Sequence, residues 1–274
     1  MLEEELKTLQ RVALDILVEF DLFCKRNGLQ YYLIGGALLG AARYGDFIPW
    51  DDDIDIAMPR KDYEQLQEIW KNESAGQYFL QSGKNDPKFS RCILKLRLNN
   101  TRIVEYSSQG IDMHEGIYID IFPIDYVSIE PGKRLALRAF LIRKLMSARA
   151  IKNGYKTGKF VIAKRLIMCL MVVIGNDAID NAIYRLCTYD NQKKCKYAIL
   201  YLHNYPWERQ IHPIEIFGEG CPCEFAGRQF VAPTDTNNFL TTVFGSDYMQ
   251  EPPKEKQTPP HKYILIQFHA GNIP

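Results

Sequence analysis

Apolar residues at positions 2, 6, 9, 13, 16, 17 and 20 recur at helical spacing, so a helix is predicted from Leu2 to Phe23, with Asn27-Gly28 as its stop. Tyr31-Tyr-Leu-Ile-Gly reads as a strand running into a Gly-Gly turn, and Ala37 to Ala42 as a short helix. Ile54 to Met58 reads as a second strand and Arg60 to Trp70 as the next helix, followed by strands at Tyr78–Gln81, Cys92–Leu98 and Arg102–Glu105. Ile117 to Phe122 alternates most clearly, with Tyr118, Asp120 and Phe122 on one face and Ile117, Ile119 and Ile121 on the other. From 133 to 190 the pattern turns helical. From Ile211 onward short strands alternate with Pro-rich turns, and a helix is expected over Asn237 to Phe244, stopped at Gly245. These elements predict the α+β class: a mixed-sheet core over 1–132, a helical insert over 133–200, and a segment over 201–274 that packs back on the core. No internal repeat appears.

The composition changes this picture little. With 274 residues, 46% hydrophobic and 24% charged, the chain has the make-up of an ordinary globular protein able to bury a full core. Met1-Leu-Glu-Glu-Glu-Leu-Lys puts acids where a signal peptide needs a basic and then an apolar stretch, and seven cysteines without framework spacing suit a reducing cytoplasm. Cys221-Pro-Cys223, with His203 and His212 upstream, matches no common zinc spacing.

Charge adds more. Between Lys133 and Arg165 stand eleven Lys/Arg and no Asp or Glu, which leaves 23 basic residues against 33 acidic elsewhere. So local a cationic element expects an anionic surface or polymer as neighbour. Leu166 to Ile174 is an apolar run too short to span a bilayer, readable as a buried helix or as part of a basic amphipathic hairpin on a membrane surface.

The chemistry concentrates at 35–58. Asp51, Asp53 and Asp55 alternate into the second strand, so their carboxylates share one side while Ile54 and Ile56 face the core. Like charges held that close raise one another's pKa values unless a cation sits among them, and oxygen-only ligands favour Mg2+ or Mn2+. A calcium loop starting at Asp51 would need Gly at 56 and Glu at 62, where this chain has Ile56 and Asp62. A phosphatase nucleophile would end an unbroken apolar strand, whereas Pro49-Trp50-Asp51-Asp52 precede the candidates. An Asp-x-Asp sugar-transferase site stays open. Gly35-Gly36 at a helix start leaves backbone N–H groups free for a donor phosphate, and Asp120 is the best third acid for a metal cage.

Gly35-Gly-Ala-Leu-Leu-Gly-Ala-Ala-Arg43 followed by Ile48-Pro-Trp-Asp-Asp-Asp-Ile-Asp-Ile56 resembles the signature of the LicD family. The likeness continues through Gly116-Ile-Tyr-Ile-Asp-Ile-Phe-Pro-Ile-Asp125 and Phe225 to Pro233, then Phe239-Leu240, Phe244 to Met249, Pro252-Pro253 and His261. The family comprises phosphotransferases on the nucleotidyltransferase fold, including bacterial phosphocholine transferases, with fukutin-type ribitol-phosphate transferases as relatives. The resemblance implies that Asp51, Asp53, Asp55 and Asp120 bind metal, with Asp53, Asp55 and Asp120 catalytic. It also implies a CDP-linked alcohol donor, CDP-choline first among them, and a hydroxyl acceptor on a surface polysaccharide or teichoic acid precursor. Such an enzyme would be cytoplasmic and bacterial, held at the inner membrane face by its basic insert, with no nucleic-acid partner. Phe244 stands where the family commonly has Tyr, and the tail from Tyr263 is not explained by the resemblance.

Other residues carry two readings each. Arg43 is expected on a donor phosphate, or else on Asp46 or Asp52. Arg91, Lys95 and Arg97 alternate on one strand face, either solvated or holding the diphosphate. Trp50 either supports the turn or packs on a trimethylammonium group, and Gly35 and Gly36 fix the phosphates. Asp125 and His261 are weaker candidates for acceptor or supporting contacts, and Tyr31-Tyr32 is read as packing.

Overall fold

The computed structural model describes residues 1–73, 76–156 and 174–268, and among them lie six α-helices and eleven strands. Helix α1 (Glu3–Asn27) turns Leu9, Ala13, Ile16, Leu17, Phe20 and Phe23 inward and ends at Gly28, whose φ of 62° is the left-handed conformation that glycine adopts at little cost. Glu3, Glu4 and Glu5 in its first turn and Lys25 and Arg26 in its last complement the helix dipole.

Strand β1 (Tyr32–Ile34) runs directly into α2 (Gly35–Tyr44), and β2 (Asp55–Pro59) directly into α3 (Arg60–Glu73). The strands β3 (Tyr78–Gln81), β4 (Leu94–Leu98), β5 (Arg102–Glu105) and β6 (Tyr118–Val127) follow. The main sheet has the order β1-β2-β6-β4-β3, with β2 and β6 parallel and the other pairs antiparallel. Helix α1 packs on β4 and β6, and α3 on β2 and β6. Ile56, Leu96, Ile119 and Ile121 are fully buried between these layers, a mixed architecture of the expected nucleotidyltransferase-like α+β kind.

Several boundaries shift by a few residues from the sequence reading, and two of the shifts shape the site. Helix α2 begins at Gly35, not Ala37, because its two glycines form the first turn. Strand β6 does not stop at Phe122. It pairs with β4 over Tyr118 to Ile121 and with β7 (Tyr197–Ile199) over Asp125 to Val127. Pro123 falls between the two partners on that edge, where a missing N–H breaks no ladder bond, so a residue that reads as a breaker is tolerated.

The expected helical insert contains α4 (Lys133–Lys152) and α5 (Asn176–Cys187), packed on each other. The apolar run at 166–174 lies outside the described residues except for the exposed Ile174. Strand β8 (Ile211–Pro213) extends β7, and β9 (Cys221–Phe225) and β10 (Arg228–Ala232) form a hairpin against α2 and β1. Helix α6 (Thr236–Phe244) ends before Gly245 as read from sequence. The unexplained tail supplies β11 (Tyr263–Gln267), antiparallel to β5. Among the described residues no helix is long and apolar enough to cross a membrane.

Candidate active site

Register builds the centre. Asp55 on β2 pairs across to Asp120 on β6, and Lys95 on β4 stands opposite Asp120 from the other side. Alternation places these three on one sheet face, in the order carboxylate, carboxylate, ammonium. Asp53 joins from the extended segment before β2, and ligand oxygens of Asp53, Asp55 and Asp120 lie within 4.8 Å of one another. Asp53 is shared with a second group made with Asp52 and His261.

Asp51 belongs to neither group. Its carboxylate lies against the first turn of α2, where a Cβ on Gly36 would stand 2.0 Å from its Oδ2. A Cβ on Gly35, whose φ is 58°, would stand 2.8 Å from Asp55 Oδ2. The glycine pair is therefore required by close approach of two acids to the opening of the helix. Gly36→Ala, with no backbone strain of its own, is expected to displace Asp51 and lower activity by about 10–100-fold. Its thermal midpoint should stay close to wild type; an active variant with an unmoved Asp51 would contradict this assignment.

The acids are not at ease without a cation. Burial first, and then Asp55, Asp51, Asp52 and Asp120, raises the Asp53 pKa well above the usual carboxylate range. Asp51 is pushed up to about 7 by burial and then by Asp55 and Asp52. Lys95 Nζ lies 2.9 Å from Asp120 Oδ1, yet the alignment falls short of a hydrogen bond and leaves both buried atoms without one. An all-oxygen set with an unsatisfied buried carboxylate oxygen fits a hard divalent ion, Mg2+ or Mn2+, held by Asp53, Asp55 and Asp120.

Glu105 and His203 join the site without a local sequence signal for that role, and they meet residues that the sequence does offer. Glu105, at the end of β5, lies 3.8 Å from Lys95 and 3.2 Å from Arg91, and accepts a hydrogen bond from Tyr118 Oη at 2.8 Å. Burial opposes its charge, but Lys95 and Arg91 outweigh that and hold its pKa well below the usual range. Lys95 sits 3.1 Å from the Tyr118 ring centroid, and burial lowers its pKa to about 8 against the pull of Asp120 and Glu105. His203 Nε2 is 3.5 Å from Asp55 Oδ2, its ring stacked on Tyr205 and tilted against Phe122. The backbone N–H of His261 donates to Asp52 Oδ2, and its Nδ1 is 2.8 Å from Asp52 Oδ1 and 3.7 Å from Asp53 Oδ2. Burial works against a proton on His261, but the Asp52 bond and charge prevail and raise its pKa.

The remaining candidates fall into place around this centre. Arg43 meets neither Asp46 nor Asp52; its guanidinium donates to the carbonyls of Tyr248 and Gln250 and ties α2 to the C-terminal segment. The reading of Arg91, Lys95 and Arg97 as a solvated face is overturned for Lys95 and Arg97, which are buried because Tyr118 and Glu105 close over that face. Arg97 donates to Gln81 Oε1 and the Gly116 carbonyl. Trp50 is half-buried against the core. Asp125 is fully buried in a bidentate pair with Arg60 and accepts from Asn191, so an acceptor contact is excluded for it. Tyr31 and Tyr32 are core residues bonded to Asp21 and the Gly218 carbonyl. The zinc alternative dissolves: His203 faces Asp55 while His212 stacks on Phe239, and no Cys–His metal group occurs among the described residues. A cavity of about 480 Å3 between α3 and α5 is lined by Arg60, Arg91 and Arg149 but by none of the site aspartates, and those cations are held by Asp125, Glu105 and Asp180.

A mixed sheet that brings carboxylates from two parallel strands together beside a glycine-opened helix defines a nucleotidyltransferase-like protein of the α+β class. The domain described as "LicD/FKTN/FKRP, nucleotidyltransferase domain" matches residues 28–134. The chain is 31% identical over 266 residues to the lipopolysaccharide cholinephosphotransferase LicD of Haemophilus influenzae, covering 95% of this chain and 98% of that protein. It belongs to the LicD family. Shorter stretches match the ribitol 5-phosphate transferase FKRP of mouse and human, 48% identical over 42 residues, which is 15% of this chain and 8% of theirs. The yeast mannosyltransferase regulator 4 is 30% identical over 110 residues, 37% of this chain and 9% of that protein.

Proposed function

We propose that this protein transfers a phospho-alcohol, phosphocholine first among them, from a CDP-linked donor to a hydroxyl of a cell-surface polysaccharide or teichoic acid precursor. The observation that carries this reading is the row Asp55–Asp120–Lys95, with Asp53 beside it and an unsatisfied Asp120 Oδ1 within it. Near end-to-end similarity to a cholinephosphotransferase favours choline over a polyol, since the ribitol 5-phosphate transferases match over a short stretch only.

Asp53, Asp55 and Asp120 would hold Mg2+ or Mn2+. A bound divalent ion neutralises diphosphate oxygens and the charge that grows on the leaving phosphate. The chain's own groups do the rest. The first turn of α2, at Gly35 and Gly36, presents N–H groups to the donor phosphates. Trp50 offers an aromatic face to the alcohol. The acceptor hydroxyl oxygen bonds to the phosphorus that carries the alcohol, the bond from that phosphorus to CMP breaks, and the hydroxyl proton passes to the Asp120 carboxylate. Lys95 limits the negative charge that Asp120 presents before the proton arrives.

The test is product analysis with purified protein, CDP-choline, Mn2+ and a hydroxyl-bearing glycan. CMP release with phosphocholine on the glycan is the expected result. Release of UDP from a nucleotide sugar, or of pyrophosphate from a nucleoside triphosphate, would instead support a glycosyltransferase or a nucleotidyltransferase and reject this reading.

A further inference from the structure

Helix α4 has two faces of different chemistry. At about 100° per residue, Leu135, Ala139, Ile142, Met146 and Arg149 fall on one side, and they are buried or half-buried against the protein. Arg149 is fixed there by Asp180 of α5 at 2.7 Å. The opposite side carries Lys133, Arg134, Leu137, Phe140, Leu141 and Lys144. Its three large apolar residues are 58%, 54% and 42% exposed, and no described residue covers them. Exposed apolar side chains are ordinary when scattered, but here three adjoin on one face within two turns.

Charge identifies what suits that face. Cations flank the apolar trio, Lys144 lies 5.1 Å from the Phe140 ring centroid, and no acid occurs anywhere between Lys133 and Arg165. A water-facing helix of a mildly basic chain would mix signs. An apolar stripe rimmed only by Lys and Arg is the pattern of a helix lying in a bilayer interface, its apolar residues among acyl chains and its cations at anionic headgroups.

From this juxtaposition we propose that the outer face of α4 docks the protein on an anionic lipid surface. Residues of α4 outside the stripe show how docking bears on the centre. Arg143 donates to the carbonyls of Asn204 and Tyr205, the loop whose His203 and Tyr205 rings stack beside Asp55. A helix seated on the membrane thus holds the loop next to the carboxylates at the same surface, where a lipid-linked acceptor would present its hydroxyl. The docking itself rests on the helix face and not on the identity of the donor, so it can fail or stand independently of the proposed reaction.

The test is co-sedimentation of the full chain with phosphatidylcholine vesicles and with vesicles of mixed phosphatidylcholine and phosphatidylglycerol. Binding to the mixed vesicles only, weakened by salt, is expected. Leu137→Ser/Phe140→Ser/Leu141→Ser should reduce it at least about tenfold, and Lys133→Ser/Arg134→Ser/Lys144→Ser by about a hundredfold. Both variants should keep the wild-type thermal midpoint and the wild-type rate on a soluble acceptor. Equal sedimentation of wild type and both variants would overturn the proposal. So would a lowered midpoint in the serine-for-apolar variant, which would mean that protein covers the face, or a wild-type dimer in solution that this variant converts to monomer.

Discussion

Asp53→Asn is expected to lower transfer at least about a thousandfold while making the metal-free protein more stable, two effects of opposite sign from one neutralised charge. Its carboxylate stands among Asp55, Asp51, Asp52 and Asp120, and burial strengthens their mutual repulsion, so its charge disfavours the folded state when no cation is present. Removing it should raise the thermal midpoint by ~2 °C or more without metal. It should also abolish most of the gain that Mg2+ or Mn2+ gives the wild type. Differential scanning fluorimetry with and without Mn2+, beside the activity assay, reads both. An Asp53→Asn protein that turns over normally, or that keeps the full Mn2+ gain, would remove Asp53 from the centre.

A pH dependence follows with a definite sign. Asp51 has a folded pKa pushed up to about 7, against an ordinary aspartate value of 3.8. An acid whose pKa is raised by folding keeps its proton in the native state and loses it in the unfolded one. Stability of the metal-free protein is therefore highest below the unfolded value and declines as pH climbs from about 4 towards about 7. Asp53 acts in the same direction. The Mn2+ gain should accordingly be larger at neutral pH than in mild acid.

Lys95→Met carries a large expected loss of stability. The side chain is 1% exposed, 2.9 Å from Asp120 and 3.8 Å from Glu105, and the substitution keeps its aliphatic bulk while leaving two acids without their central cation. Breaking a buried pair from one side costs about 3–5 kcal/mol. Because Asp120 is then unpaired, Mn2+ should raise the midpoint of Lys95→Met by more than that of the wild type. Equal Mn2+ gains would mean that Lys95 and the ion do not share Asp120. Arg60 and Asp125 give the control: Arg60→Met should cost a similar amount, since Asp125 is fully buried, but without any altered response to Mn2+.

How much of this was readable in the chain varies with the range of the interactions. Strands β3 and β5 and the stop of α1 at Gly28 are local features, fixed by alternation and by one glycine, and the sequence pattern places them well. The meeting of Asp55 with Asp120 was foreseeable because both stand on alternating strands with apolar neighbours, and parallel register brings them side by side. Strand β6 runs beyond its alternating stretch at Ile117–Phe122, since the switch of partners along it makes Pro123 acceptable there. Arg97 was misleading. A strand with charges on alternate positions reads as solvated, and nothing near residue 97 announces that Tyr118 will cover it. His203 lies far along the chain from Asp55, and Glu105 meets Lys95 from a different strand pair, so no spacing rule reaches either.

The bond between His261 and Asp52 joins residues 209 positions apart. The segment that carries His261 must therefore be made before its imidazole can reach the acidic loop. Until then the nascent polypeptide holds its aspartates without that tether. Completion of the centre thus waits on a segment far outside the 28–134 domain that carries its acids.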